Sequence, residues 1–388
     1  MREFDSIVVG VGGMGSATVY HLARRGQRVL GLEQFDISHE LGSSHGVTRI
    51  IRMAYPEGAG YVPLLRRAYE LWRDLETVTS DRLLIVTGCI DAGAPDSVTV
   101  RGSLETCRQF GLDHEALDAQ SLHRRFPGYR FPDGIAAVLQ PEGGFLLPEV
   151  CITNFVQAAR TSGAEIHTRE RVIGWNASAG GVEVRSGAES YRARTLVITA
   201  GPWASQLCPL LQTLAIPERQ VVLWTRPSRP DLFQPDTFPV FNLEAPEGRF
   251  YGCPEYGVPG FKIGKYHHRH ENADPNRIDR EIHPQDEAVL REGIRRYFPD
   301  AEGPALMMKT CMFTNSPDEH FILDAHPDAE NVYFAAGFSG HGFKFASVVG
   351  EIMTDLALDG GERYADQIKM FRLARFTEQD SSRREPGQ

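Results

Sequence analysis

An apolar run that breaks into glycines close to the N-terminus constrains this chain more than any other feature. FDSIVVGVGGMGSATVYHLARRGQRVLGLEQFD opens with the apolar residues Ile7 to Val9 and then breaks at Gly10, Gly12, Gly13 and Gly15. Helical periodicity follows through Ala17, Tyr20, Leu22 and Ala23, stops at Gly26, and gives way to an apolar stretch from Val29 to Leu32. This is a βαβ unit. Gly10, Gly12 and Gly15 form G-x-G-x-x-G inside it, and Glu33 ends the second strand about 20 residues on. The first glycine permits the tight turn, the second lets backbone approach a pyrophosphate, and the third lets helix and strand pack closely. Gly13 and Met14 belong to the same phosphate-facing turn, the helix N-terminus supplies N–H groups, and Glu33 accepts from a ribose hydroxyl. The motif accepts FAD and NAD alike.

At 388 residues the chain is long for one core, so two domains, or one with a large insert, are expected. A net charge of -10 argues against nucleic acid and against an anionic membrane as partners and leaves a small molecule. The start carries Glu3 and Asp5 with no basic lead, and no apolar run reaches the roughly 20 residues of a membrane helix, so a cytoplasmic protein is expected. Six cysteines at wide spacing with no C-x-x-C pair read as reduced, mostly buried thiols.

Residues 64–76 and 149–162 read as helices, and 81–150 as short strands and turns. TLVITAGPW is an apolar strand halted by glycine, and 216–310, rich in aromatics and proline, reads as β-rich. Strand, glycine turn and helix return over 331–358, with Gly340 and Gly342 at the junction where backbone N–H groups could meet another part of a large cofactor. The expected fold is α/β (α+β), with a discontinuous Rossmann-like nucleotide domain over 1–80, 149–215 and 312–376. A β-rich substrate domain covers 81–148 and 216–311, and 377–388 forms a flexible tail.

Several side chains have two readings on the residues alone. Arg49 and Arg52 are three apart and would share a face in a helical turn beside His45 and Thr48, most simply as a solvated basic patch. Lys262 in GFKIG alternates with Phe261 and Ile263, the pattern of a solvent-facing strand lysine. KYHHRH suggests metal, but no cysteine or well-spaced carboxylate completes a site, so none is expected. Gly42-Ser43-Ser44-His45-Gly46 satisfies G-x-S-x-G, yet the polar QFDISHEL before it does not suit the strand that a nucleophile elbow needs. Cys311, taken by itself, reads as a small core residue.

GSSHGVTRIIRMAYPEG, TCMFTNSPDEHFILD and GFSGHGFKFASVVGE, with the glycine motif and LVITAGPW, resemble one family from residue 1 to 376. It is that of monomeric sarcosine oxidase, N-methyltryptophan oxidase and L-pipecolate oxidase, FAD-dependent amine oxidases of the D-amino-acid-oxidase-like group. The resemblance implies that the nucleotide domain binds FAD, that Cys311 carries it through a covalent thioether, and that Ser43 belongs to the cofactor site. It implies that Arg52 and Lys344 bind the substrate carboxylate, and that His45, Thr48 and Arg49 surround the flavin. Lys262 is implied to activate oxygen, Tyr251 to line the pocket, and His267 to be the active-site histidine if Lys265 is an insertion, with His268 as the alternative. Phe313 and Asn242 depart from the tyrosine and methionine of the family's sarcosine oxidases at positions that line the substrate pocket.

The reading that follows is an oxidase of a secondary amino acid such as sarcosine, forming an imine and reducing O2 to H2O2. L-pipecolate or N-methyltryptophan as substrate, or a dehydrogenase with another acceptor, are the alternatives. A monomer without nucleic-acid, membrane or metal partners is expected.

Overall fold

The computed structural model describes residues 1–376, so the expected tail lies outside the described residues. The chain divides into two compact units, one of Met1–Ser44, Val150–Pro217 and the stretch from Phe313, the other of His45–Glu149 and Glu218–Met312. The first cut falls at residue 44 and not near 80, so the helix Val62–Thr79 belongs to the second unit.

The first unit is built on a parallel core in the order Glu165–His167, Val29–Leu32, Arg2–Val9, Ser190–Ile198 and Ala329–Ala336. Strands this apolar, with Ile7, Val8, Leu30 and Val197 fully buried, are those of a sheet covered on both faces. The antiparallel strands Val172–Ser178 and Gly181–Ser186 extend one side, and Ile322–His326 pairs with Ala329–Ala336. Gly13–Arg24 is the first helix, and Phe343–Phe345 forms a tight turn that leads into Ala346–Asp359, four residues later than the expected start near Gly342.

The second unit centres on an eight-stranded sheet. Its order is Ala305–Asn315, Ile216–Thr225, Phe261–Lys265, Gly248–Cys253, Val240–Ala245, Cys89–Gly93, Ala136–Gln140 and Glu115–Asp118. Strict alternation divides its faces. Ile90, Phe241, Leu243, Phe250, Phe261, Ile263, Val221 and Leu223 enter one aromatic-rich core. The residues between them meet across the strands on the opposite face: Asp91 pairs with Asn242, Asn242 with Tyr251, Cys253 with Lys262, and Lys262 with Trp224. A line of polar side chains is thereby assembled from strands far apart in sequence.

Helices Val98–Phe110, Ala119–Arg125 and Pro284–Tyr297 lie where short strands and turns were expected. Val98–Phe110 carries Gly102 and several β-branched residues, which blur its propensity, although Ser97 caps it by accepting from the Val100 N–H and Gly111 ends it in the left-handed region. Pro284–Tyr297 was legible from its proline start, its Asp286 and Glu287 in the first turn and its Arg295 and Arg296 in the last. No helix among the described residues is long and apolar enough to cross a membrane.

Candidate active site

In the first unit the glycine turn is a place where side chains are excluded. A Cβ on Gly15 would lie 1.8 Å from the Gly10 carbonyl oxygen, and one on Gly10, where φ is +87°, would lie 2.7 Å from that of Thr199. A Cβ on Gly12 would meet nothing within 4 Å, so that side of the turn is open. Glu33, buried at the end of its strand, accepts from the Val11 N–H at 2.8 Å and the Phe35 N–H at 3.0 Å, which fixes the carboxylate beside the turn. Met14 and Ser43 are half-buried, and a Cβ on Gly13 would lie 3.0 Å from Ser44 Oγ. Phe313 packs on Gly340, whose positive φ leaves no room for a side chain, and a Cβ on Gly342 would strike Phe338. Lys344 is buried and donates to the His341 carbonyl at 2.7 Å.

In the second unit, Lys262 is 2% exposed, which overturns the solvent-facing reading. Its Nζ donates to the carbonyls of Gly46 at 2.7 Å and Thr48 at 2.8 Å and to Thr48 Oγ1 at 3.1 Å, and lies 5.2 Å from the centre of the Trp224 ring. Burial, then Arg49, lowers its pKa to about 8. The carbonyls converge on it because Gly46 and Val47 both have positive φ, a conformation that a β-branched residue resists. Glu149, unmarked by any motif, holds the turn by accepting from the Gly46 N–H at 2.6 Å and the Val47 N–H at 3.1 Å.

Arg49 opens a strand, Arg49–Ile51, in place of the helical turn considered above, and its Nη1 donates to the Thr48 carbonyl at 2.9 Å. His45 is 1% exposed and neither ring nitrogen has a hydrogen-bond partner. Burial, then Arg49, Lys309, Lys262 and Arg280, pushes its pKa down to about 3, so the ring is neutral. Cys311 belongs to the same neighbourhood. Burial pushes its thiol up against the pull of Arg49, Lys262 and Arg280, and Tyr251, itself raised by burial and then by Cys311, lies beside it. Burial outweighs the three cations, which only limit the rise, so the neutral thiol is the favoured form.

Arg52 is fully buried and already paired. Its Nη2 donates to Glu57 at 3.0 Å, its Nε lies 3.3 Å from Asp91, and its guanidinium lies over the Tyr55 ring. Asp91, raised by burial against the opposing pull of Arg52, also accepts from Asn242 Nδ2 at 3.0 Å, Gln140 Nε2 at 2.8 Å and Ser103 Oγ at 2.8 Å. Asn242, expected to line the substrate pocket, therefore spends its amide on Asp91 and acts as a brace for Arg52. Glu57, Asp91 and Arg249 escaped the sequence reading; Arg249, two residues before Tyr251 on one strand, was open to it through the period-two rule.

Phe250 pairs with Lys265 and Tyr251 with Gly264. Tyr266 is the residue beside Tyr251, with ring centres 5.3 Å apart. His267 instead pairs with Glu218 at 2.8 Å and stacks on His270, and His268 lies 3.2 Å from Asp286. Glu218, His267 and His270 bring one ligand atom each within 4.8 Å of one another, so a carboxylate does accompany the histidine run, supplied from a distant strand. The hydrolase reading finds no support, since residues 34–48 hold neither strand nor helix around Ser44.

Comparison with known proteins now decides the class. The profile of the FAD dependent oxidoreductase family matches residues 5–356. The chain belongs to this family. Monomeric sarcosine oxidase of Streptomyces avermitilis is 42% identical over 365 residues, covering 92% of this chain and 94% of that protein. N-methyl-L-tryptophan oxidase of Salmonella dublin is 35% identical over 383 residues, covering 97% and 100%. Among solved structures, NikD, an unusual amino acid oxidase essential for nikkomycin biosynthesis, superposes with a TM-score of 0.82 at 25% identity, covering 95% of this chain and 97% of that one.

The residues present fit FAD. In the first unit the open side of Gly12 and the fixed Glu33 suit a pyrophosphate and a ribose; in the second, the unpartnered buried imidazole of His45 with four cations acting on it suits an acceptor-rich ligand.

Proposed function

We propose that the protein is an FAD-dependent oxidase of secondary amino acids, sarcosine among them, with the flavin attached covalently through Cys311 and O2 as electron acceptor. The observation that carries it is the neighbourhood of buried Cys311, Lys262 and His45 with half-buried Arg49, in which cations act on one thiol. The flavin, when bound, would supply the redox chemistry: it would accept the two electrons lost with the hydrogen on the carbon next to nitrogen as C–N becomes C=N, and pass them to O2 to give H2O2. The chain's own residues hold and bias the reactants. The open side of Gly12, at the start of the helix that Gly13 and Gly15 begin, receives phosphate, Gly10 makes the turn, and Glu33 accepts from the ribose. Arg49, which already helps depress Lys262, disfavours a further cation nearby, so the substrate amine reacts as the free base that oxidation requires. Lys262, protonated below about pH 8, favours the negative charge that develops as oxygen is reduced. Arg52, paired with Asp91 and Glu57, and Lys344 are the two cations to which the resemblance gives the substrate carboxylate. Nothing in this reading calls for a second subunit, and we assign the working form as a monomer in the cytoplasm.

The test is anaerobic mixing of the flavin-loaded protein with sarcosine, N-methyltryptophan, L-pipecolate, L-proline and a primary amino acid. Rapid loss of the visible flavin absorbance with a secondary amino acid, and H2O2 on admitting air, is the expected result. A flavin that no secondary amino acid bleaches would overturn it.

A further inference from the structure

We propose that Arg249 forms a subsite for a second carboxylate, so that the preferred substrates are N-substituted amino acids with an acidic side chain. This deepens the amine-oxidase reading and rests on it. The starting point is a row of alternating charge within the second unit. Asp91 lies against Arg52 Nε at 3.3 Å, Arg52 Nη2 donates to Glu57 at 3.0 Å, and Glu57 in turn accepts from Arg249 Nη2. Asp91, Arg52 and Glu57 each have an oppositely charged group at both ends or a full set of neutral donors: Arg52 lies between two carboxylates, Glu57 between two guanidiniums, and Asp91 is closed by Asn242, Gln140 and Ser103. Arg249 ends the row with a single carboxylate. Its Nε is buried and has no hydrogen-bond partner, while the side chain as a whole keeps 23% exposure, so the guanidinium is reachable from one side.

Position and shape support an anion there. Arg249 and Tyr251 are two residues apart on the strand Gly248–Cys253, so period two turns both toward the polar face on which Cys253 and Lys262 also meet. The Arg249 guanidinium lies over the Tyr266 ring, 4.5 Å from its centre, and Tyr266 lies 5.3 Å from Tyr251. Stacking fixes the plane of the fork and leaves its edges for a planar acceptor in that plane, the geometry of a carboxylate. Arg52 already shows that a guanidinium of this row accommodates two carboxylates at once. An α-carboxylate alone would leave Arg249 with one partner; a second carboxylate on the side chain completes the alternation.

The experiment compares N-methyl-L-glutamate with its isosteric amide, N-methyl-L-glutamine, and with sarcosine, by anaerobic flavin reduction of the holoenzyme. The expected result is that kcat/KM for the acid exceeds that for the amide by about tenfold or more, the scale of one charge-assisted bidentate contact. In Arg249→Met the ratio of acid to amide should collapse toward one, and in Arg249→Lys it should recover in part. A ratio taken within one protein sample cancels any loss of active enzyme. Sarcosine bleaching the flavin while wild-type enzyme treats acid and amide alike would overturn the subsite and leave the oxidase reading standing. A flavin bleached by none of the three would overturn the oxidase reading and this inference with it.

Discussion

The two units make their candidate sites by opposite means. The first does it by leaving side chains out: Gly10 and Gly15 leave no room for a Cβ, Gly12 leaves open space, and the contacts on offer are backbone N–H groups at a helix start. The second does it by importing side chains, with Asp91, Asn242, Arg249, Tyr251 and Lys262 brought to one sheet face by the register of four strands. A backbone-built site serves any nucleotide and tolerates no added atom at its tight contacts, whereas a side-chain-built site sets reactivity and substrate choice and changes by single replacements.

The sharpest way to break this comparison is within the glycine motif itself. Gly15→Ala forces a methyl to 1.8 Å from a carbonyl oxygen, so the strand–helix packing must give way; loss of soluble, flavin-loaded protein is expected, a cost of about 3 kcal/mol or more. Gly12→Ala adds a methyl to open space, so thermal unfolding of the flavin-free protein should be unchanged while flavin affinity falls. Equal unfolding temperatures for both variants would contradict the steric account.

The contrast also explains what could be read from the residues. The glycine turn, Glu33 and the flanking strands are local, and local sequence carries them. The helices Val98–Phe110 and Pro284–Tyr297 had caps in the sequence but were masked by a glycine, β-branched residues and an aromatic-rich setting. The second site joins residues as far apart as Asp91 and Asn242, and no spacing rule ties those together. Only resemblance reached Arg52, Lys262 and Cys311, and neither resemblance nor spacing reached Tyr266, which flanks Tyr251.

For the imported side chains, Lys262→Met should slow reoxidation of the reduced flavin by about 100-fold or more, with little effect on anaerobic flavin reduction, measured by stopped flow. In the wild type the reoxidation rate should fall as pH rises through about 8, where Lys262 loses its proton. Because the pKa is depressed from 10.5 to about 8, the unfolded chain binds the proton that the folded protein has released between those values, so this group's contribution makes stability rise with pH across that window. A reoxidation rate flat from pH 7 to 9 would contradict the assignment. Asn242→Leu leaves the buried Asp91 short of a donor; a loss of about 1–3 kcal/mol in urea unfolding and a raised KM through a less firmly held Arg52 are expected. Glu149→Gln keeps the shape of the acceptor but not its charge, and should cost about 1 kcal/mol at the Gly46–Val47 turn, seen as a small fall in the unfolding midpoint.

The most direct test of the side-chain-built site is the intact mass of the denatured protein, wild type against Cys311→Ser. The wild type should carry one flavin dinucleotide through acid and denaturant, and the variant should release whatever flavin it holds. A wild type that denatures to the bare chain mass with free flavin in solution would contradict the role assigned to Cys311.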